Sequence, residues 1–267
     1  MEQRLPDFAA WDKCVKAHVK PGEVDGIPLA SVDYAGMRDD PNFTTFVKSL
    51  EGVDTSRLNK AEKYAVYINA YNALAIKTVI DHPSTKKLFG LRTTKIKSIK
   101  DAGTVTNAVW KRPAGVVGGR VLSLDDIENQ ELRNPVGFDA DPRLHACIVC
   151  ASVSCPDVAT KAYMPETLEE DMSENLRAFL RNNKKGMSLD KAKGVLTLSK
   201  IFQWFAGDFT KTGHATVVEY LLPYFPPREQ AWLAQHKRDV TLEYFNYNWN
   251  INQAQAGARK APKCTWL

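Results

Sequence analysis

The chain has 267 residues, enough to bury a sizeable core in one large domain. Hydrophobic residues make up 44% and charged residues 25%, the composition of an ordinary globular protein rather than a disordered or many-spanning one. The formal charge of +5, from 36 basic and 31 acidic residues, is a mild excess spread along the chain that argues only weakly for nucleic acid or a membrane surface, and neither is expected as a partner.

No apolar run reaches the roughly 20 residues that cross a bilayer. The start, Met1-Glu2-Gln3-Arg4-Leu5-Pro6, has no basic segment followed by an apolar one, so a cytoplasmic location is expected. Five cysteines are an odd number and too few for a disulfide scaffold, which points to free thiols in a reducing compartment. The basic run Lys95 to Lys100 reads as a solvated edge, and Asn42-Phe43-Thr44 as a chance glycosylation sequon.

Phe8, Trp11, Val15 and Val19 fall at helical spacing, so residues 7–19 read as an amphipathic helix ended by Pro21-Gly22. Cys14 and His18 lie one turn apart on it and read as structural. An extended piece follows from Ile27 to Tyr34. Asp40-Pro41-Asn42 is a turn, and Phe43 to Leu50 reads as helical.

Asn59-Lys60-Ala61-Glu62 is a capping box, which predicts a helix from Lys60 to Ile80. Tyr64, Tyr67, Ile68, Tyr71, Leu74 and Val79 cover most of its circumference, so it should be central and buried. Asn69 and Asn72 interrupt it on one face. They either tie down neighbouring backbone or line a cleft.

Asp81-His82-Pro83 ends this helix. Lys86 to Pro113 reads as a surface excursion with one strand. Gly118-Gly119 predicts a tight hairpin turn, and no helix or Lys-Ser/Thr follows to make it a phosphate loop. Ser123 to Asp126 is a second capping box, opening a helix through Arg133 that Asn134-Pro135-Val136-Gly137 ends. Asp125 and Asp126 suit the helix dipole there. Glu128 is left as a candidate functional acid.

The chemistry is concentrated from Arg143 to Pro156, where one histidine and three of the five cysteines fall together. Leu144 to Val149 reads as a buried strand. Alternation would put His145 and Cys147 on one face and Cys150 on the other. That makes Cys147 and Cys150 a poor zinc knuckle and a poor dithiol of the helix-N-terminus kind. A single thiol with His145 remains, since a Cys–His pair generates the thiolate nucleophile. Ser152, Ser154 and the loop amides are candidate oxyanion or substrate donors. Cys150 and Cys155 alternatively form a reversible disulfide.

Further on, a helix starts near Pro165 with Leu168, Met172, Leu176 and Phe179 on one side, ended by Lys184-Lys185-Gly186. Val195 to Leu198 is a strand. Phe202, Trp204, Phe205 and Phe209 cluster beside Asp208. Val217 to Leu222 is a helix and Val240 to Tyr244 a last strand. A single domain is expected over residues 1–252, with a flexible tail over 253–267 that contains Cys264.

Several motifs together resemble the domain-of-unknown-function 547 family. They are Val32-Asp33-Tyr34, Tyr67 to Leu74, Gly118-Gly119, Leu122 to Glu128 with Leu132-Arg133, and Asp141 to Ala146 with Cys150-Ala151-Ser152 and Ser154-Cys155-Pro156. Leu198 to Phe205 with Asp208-Phe209, and Tyr247 to Asn252, complete them. The resemblance implies bacterial and eukaryotic relatives, some joined to glutaredoxin-like or DEP domains or a coiled coil, and no established activity. The family pattern has Trp at Tyr67 and Asp at Asn248. A His-led strand is also similar to that of papain-like and transglutaminase-like folds, whose nucleophilic Cys begins an earlier helix; Lys60 to Ile80 has none.

These readings predict an α+β fold with a small, mostly antiparallel sheet packed on the Lys60–Ile80 helix and further helices outside. The expected function is thiol- and histidine-dependent acyl transfer or hydrolysis of a small-molecule or peptide substrate. Cys150 would be nucleophile, His145 base, and Glu128 a catalytic or orienting acid. Asn69, Asn72, Ser152, Ser154 and Cys155 would bind substrate, with no metal or cofactor. The alternatives are a non-catalytic interaction domain and a redox protein using Cys150 and Cys155.

Overall fold

The computed structural model describes residues 4–82, 87–88, 91–92, 97–103, 108–135, 139–236 and 240–254. Over them the architecture is α+β, rich in helix with small sheets. Lys95 and Ile96 of the basic run, the Val136-Gly137 turn and the tail from residue 255, with Cys264, lie outside the described residues.

Helix α1 (Phe8–His18) starts where the Asp7 carboxylate accepts the Ala10 N–H. It runs into a hairpin of β1 (Val19–Val24) and β2 (Ile27–Val32). Asp25 and Gly26 turn it with φ of 53° and 74°. Pro21-Gly22 therefore ends no helix but sits in β1, and Asp25-Gly26 was the sequence signal for the hairpin. Tyr34 begins α2 (Tyr34–Asp39) rather than ending a strand, and α3 (Pro41–Ser49) follows. Asp33 and Asp40 cap these two helices.

Helix α4 (Lys60–Asp81) forms as its capping box predicts, with Asn59 and Glu62 bonding each other's backbone N–H. Every residue from Tyr64 to Ile76 is buried. At about 1.5–3 kcal/mol for each fully buried large apolar side chain, this is the chain's principal core element. Strands β3 (Lys87–Leu88) and β4 (Leu91–Arg92) form a short antiparallel pair. Strands β5 (Pro113–Val117) and β6 (Arg120–Ser123) form the expected hairpin, with Gly118 and Gly119 at φ 58° and 72°.

Ser123 and Asp126 make the second capping box, on α5 (Leu124–Asp126). The helix does not stay α-helical through Arg133 but widens into a π-helical turn, Ile127–Leu132, closed by the Arg133 N–H on the Glu128 carbonyl. Such turns are rare and recur at functional sites.

The expected strand over Leu144–Val149 is not formed. A 3₁₀ turn, Pro142–Ala146, takes its place, capped by Asp141 on the Arg143 N–H and carried on by Cys147 and Ile148 N–H groups bonding Leu144 O. The apolar run is buried by packing rather than by a ladder, an ambiguity inherent in short apolar runs. The alternation argument for His145, Cys147 and Cys150 falls with the strand.

Helix α6 (Leu168–Arg181) precedes β7 (Met187–Asp190) and β8 (Val195–Leu198). Helices α7 (Lys200–Trp204), α8 (Ala206–Thr210), α9 (Val217–Leu221) and α10 (Pro227–His236) follow, then β9 (Thr241–Tyr244). The order is β7-β8-β9, antiparallel then parallel. Among the described residues there are thus three two-stranded sheets and one three-stranded sheet, not one sheet laid on α4.

The apolar side chains fall into two large clusters. One surrounds α4; the other joins α6, β7, β8 and α7 to α9 through Leu176, Phe179, Phe202, Phe209 and Leu221. The 3₁₀ turn bridges them, with Leu144 and Cys147 in the first and Ala146 in the second, and Tyr247 packs against both.

Candidate functional site

The Cys/His segment is pinned to α4 by carboxamides. Asn72 donates Nδ2–H to Cys147 O at 2.9 Å and accepts the Val149 N–H at 2.8 Å. Asn69 does the same for Tyr163, donating to its carbonyl at 2.7 Å and accepting its N–H at 3.0 Å. Both are buried, so these bonds satisfy groups that would each cost about 1–3 kcal/mol unpaired. Lys185, itself buried, donates to Cys155 O at 2.7 Å and to Asp157 at 2.6 Å. Ser152 and Ser154 face the C-terminal segment: Ser152 pairs with Ile251, and Ser154 Oγ accepts the Asn248 N–H at 2.8 Å.

Held this way, Cys150 and Cys155 form a disulfide across Ala151 to Ser154. Ala151 sits at φ 59°, a left-handed conformation unusual for a residue with a Cβ. The two sulfurs differ. Cys155 is buried, and its Sγ accepts the Cys150 N–H at 3.2 Å and lies 3.0 Å from the Tyr247 hydroxyl. Cys150 is only partly buried, and its Sγ lies farther from the same hydroxyl, at 3.4 Å. Burial raises the Tyr247 pKa, so its hydroxyl stays protonated and is the donor. The expectation of free thiols is corrected for this pair; Cys14 and Cys147 are free.

His145 stacks on Phe205 with ring centroids 4.0 Å apart. Its Nε2 lies 2.8 Å from Asp208 Oδ2. Asp208 also receives Arg133 through Nε at 2.6 Å and Nη2 at 3.1 Å. Burial opposes the Asp208 charge, but the hydrogen bonds and charges of His145 and Arg133 hold the carboxyl well below its usual range. Burial pushes the His145 pKa down, and Arg133 adds to that, against the pull of Asp208. The pair is therefore a neutral imidazole donating Nε2–H to a carboxylate that Arg133 keeps ionised.

These groups open onto one cavity of about 280 Å³ at the seam of the two clusters. Glu128, His145, Cys150 and Cys155 all line it. Burial raises the Glu128 carboxyl to about 7, against the charge of Arg133 and a 3.4 Å hydrogen bond from the Tyr71 hydroxyl, with Asp125 and Asp208 adding to the rise. Three indoles, Trp110, Trp204 and Trp249, join Tyr247 and Phe205 in the aromatic part of the wall. Tyr247 and Trp249 stand 4.5 Å apart and Trp204 and Tyr247 4.8 Å, centroid to centroid.

A family model described as "Protein of unknown function, DUF547" matches residues 55–180. The chain belongs to this family. The match covers about half the chain, so the motifs read from Val32 to Asn252 extend beyond what the family model reaches. No curated protein and no solved structure matches, and the likeness to papain-like folds finds no counterpart there. The DUF547 segment supplies Tyr71, Glu128, Arg133, His145 and both disulfide cysteines. Asp208, Trp204, Tyr247 and Trp249 come from beyond it.

The structure brings four of the expected site residues together: Glu128, His145, Cys150 and Cys155. Asn69, Asn72, Ser152 and Ser154 are buried tethers outside the cavity wall. Sequence reasoning missed Tyr71, Arg133, Tyr247 and the indoles as site residues, and named Asp208 only beside an aromatic cluster. The signal was an acid among Phe202, Trp204, Phe205 and Phe209, with a second aromatic run at Tyr247 and Trp249. Asn248, where the family pattern implies Asp, donates to Asp25 Oδ2 at 2.8 Å. An aspartate there would face a second carboxylate, so the amide suits this chain.

A second Cys/His/Asp group lies at the end of α1. Cys14, His18 and Asp40 offer ligand atoms within 4.8 Å of one another. His18 Nε2 is 3.0 Å from Asp40 Oδ2, while Cys14 Sγ contacts Met37 Sδ at 3.7 Å. Asp40 is also the α3 cap, accepting Asn42 N–H and Nδ2–H.

Proposed function

We propose that this DUF547 protein is a thiol-dependent enzyme in which Cys150 and Cys155 exchange disulfide bonds with a small substrate in the seam cavity. The observation that carries the reading is the asymmetry of the two sulfurs. A thiolate attacking the more open Cys150 expels Cys155 as the leaving group. The Cys150 N–H and the Tyr247 hydroxyl lie where that sulfur's charge would develop.

The chemistry balances with two substrate thiols. The first, as thiolate, forms a mixed disulfide with Cys150 and releases the Cys155 thiolate. The second attacks the substrate sulfur of the mixed disulfide and releases the Cys150 thiolate. The protein pair gains two electrons and two protons, and the substrate leaves as a disulfide. Glu128, with a pKa of about 7, is suited to carry one of those protons near neutral pH. In a cytoplasmic setting the pair would cycle rather than persist.

Cys155→Ser removes the resolving thiol. Incubated with a small disulfide, this variant should accumulate a mixed disulfide on Cys150, read by mass. Cys150→Ser should trap far less on buried Cys155. Equal trapping in both, or trapping only in urea, would sink the proposal.

A second reading is acyl transfer by Cys150 in the dithiol form, favoured by Glu128 and His145 sharing its cavity. Reduction has to come first, because the bonded sulfur is no nucleophile. It predicts reduction-dependent turnover of an activated ester or thioester that Cys150→Ser abolishes. His145→Ala should reduce that turnover; turnover in the oxidised protein would rule it out.

A further inference from the structure

The cavity wall is more specialised than disulfide exchange requires. It presents three indoles and two phenols beside two acids, Asp125 and Glu128. Its one lining arginine, Arg133, is already neutralised by two hydrogen bonds to Asp208 and lies over Phe205. Among the lining residues themselves, the two carboxyl groups of Asp125 and Glu128 therefore face no positive charge that Asp208 does not already neutralise. Aromatic faces with acids and little free positive charge attract organic cations through the ring quadrupole. Trp249 already holds such a contact: Lys100 Nζ lies 3.3 Å from its ring centroid. Trp204 is 47% exposed, so an indole face at the rim is open to a ligand.

We propose that the cavity takes a small organic ammonium group, held against the open face of Trp204, away from Lys100, with Glu128 as its counter-charge. Resting on the disulfide-exchange reading, this makes the substrate a small thiol or disulfide that carries an amine. The charged and titratable groups around Glu128 are Tyr71 on α4, Asp125 and Arg133 on its own segment, Asp208 on α8, and Tyr247. Burial keeps its carboxyl protonated up to about pH 7 in the empty cavity. A cation bound beside it favours the carboxylate, so binding expels that proton. Affinity should then fall roughly tenfold per pH unit below 7 and level off above it.

The probe is tetramethylammonium chloride against sodium chloride at equal ionic strength, followed by tryptophan fluorescence of the full chain. Saturable binding with that pH dependence is expected. Glu128→Gln should bind at least fivefold more weakly at pH 8 and lose the pH dependence. Trp204→Leu, at an exposed position that folding tolerates, should weaken binding several-fold. A response no different from sodium chloride, or binding unchanged in both variants, would overturn the cation site.

The substrate class is tested with the reduced protein and three small disulfides of matched size: cystamine, hydroxyethyl disulfide and dithiodipropionate. Rates are divided by those of the same disulfides with free dithiothreitol. The cationic one should react at least tenfold faster than the neutral one, and the anionic one slowest. Equal normalised rates would remove the amine assignment and leave disulfide exchange standing. No reaction with any of the three would remove disulfide exchange and the assignment built on it, whether or not tetramethylammonium binds.

Discussion

The molecule assembles the same three residue types twice. At the end of α1, Cys14, His18 and Asp40 meet; at the seam, the Cys150–Cys155 pair shares a cavity with His145, which bonds Asp208. Both histidines bond an aspartate at about hydrogen-bond length, 3.0 Å and 2.8 Å. The difference lies in what surrounds them. Cys14 is fully buried against Met37, and its aspartate is occupied as a helix cap. None of those three lines the seam cavity. At the seam a disulfide, a raised carboxyl and open indoles face a shared space. Residue types do not make a site; access, and donors aimed at a reacting atom, do.

The widest contrast expected between the two groups is in thiol reactivity. Burial, and then Asp40, push the Cys14 thiol up to about 12, and burial pushes Cys147 to about 12 as well. At pH 8 roughly one such thiol in 10⁴ is ionised. In the reduced native protein, Cys150 should be alkylated first, with Cys14 and Cys147 modified only on unfolding, as peptide mass mapping would show. Rapid labelling of Cys14 would break the comparison.

Loss of the seam aspartate should cost more stability than loss of its counterpart. Asp208→Asn leaves Arg133 without its counter-charge and should cost about 3 kcal/mol in urea unfolding. Asp40→Ala removes a cap and one histidine contact, and about 1–2 kcal/mol is expected. The Asp208 pKa is lowered on folding, so its stabilisation is present above the unfolded carboxylate value, about 3.9, and is lost as pH falls below it. Asp208→Asn should lack that share of acid sensitivity. Equal costs in both variants would erase the distinction.

Glu128 works in the opposite sense. Its pKa rises from about 4.3 unfolded to about 7 folded, so its contribution is fully present below pH 4.3 and lost as pH rises through 7. Glu128→Gln should make the protein about 3 kcal/mol more stable at pH 8, relative to wild type, than at pH 4. A flat difference across that range would show the carboxyl to be solvated. The smallest effect expected is at Ala151. Glycine relieves the left-handed backbone but adds freedom to the unfolded chain, so Ala151→Gly should shift stability by less than about 1 kcal/mol.

Much of the local structure was readable from the chain. The Asn59–Glu62 capping box and the apolar girth of Lys60 to Ile80 predict α4, and Gly118-Gly119 predicts the β5–β6 turn. Four members of the site, Glu128, His145, Cys150 and Cys155, were legible as chemistry-bearing residues in motifs. The run from Leu144 to Val149 was misread because a strand and a buried 3₁₀ turn place the same apolar residues inside. Asn69 and Asn72 stood open between tether and cleft, and the backbone they bond, up to 94 residues away, is invisible along the chain.

What the sequence determined by itself is therefore local: caps, turns, helix girth and the residues capable of reacting. These depend on neighbours within a few positions. Which of those residues meet was decided by tertiary structure alone. Asp208 reaches His145 across 63 positions, and Tyr247 reaches Cys155 across 92. Those contacts exist because two apolar clusters pack against each other and leave a seam between them. The disulfide's asymmetry and the raised Glu128 carboxyl follow from that burial, which no spacing of residues encodes.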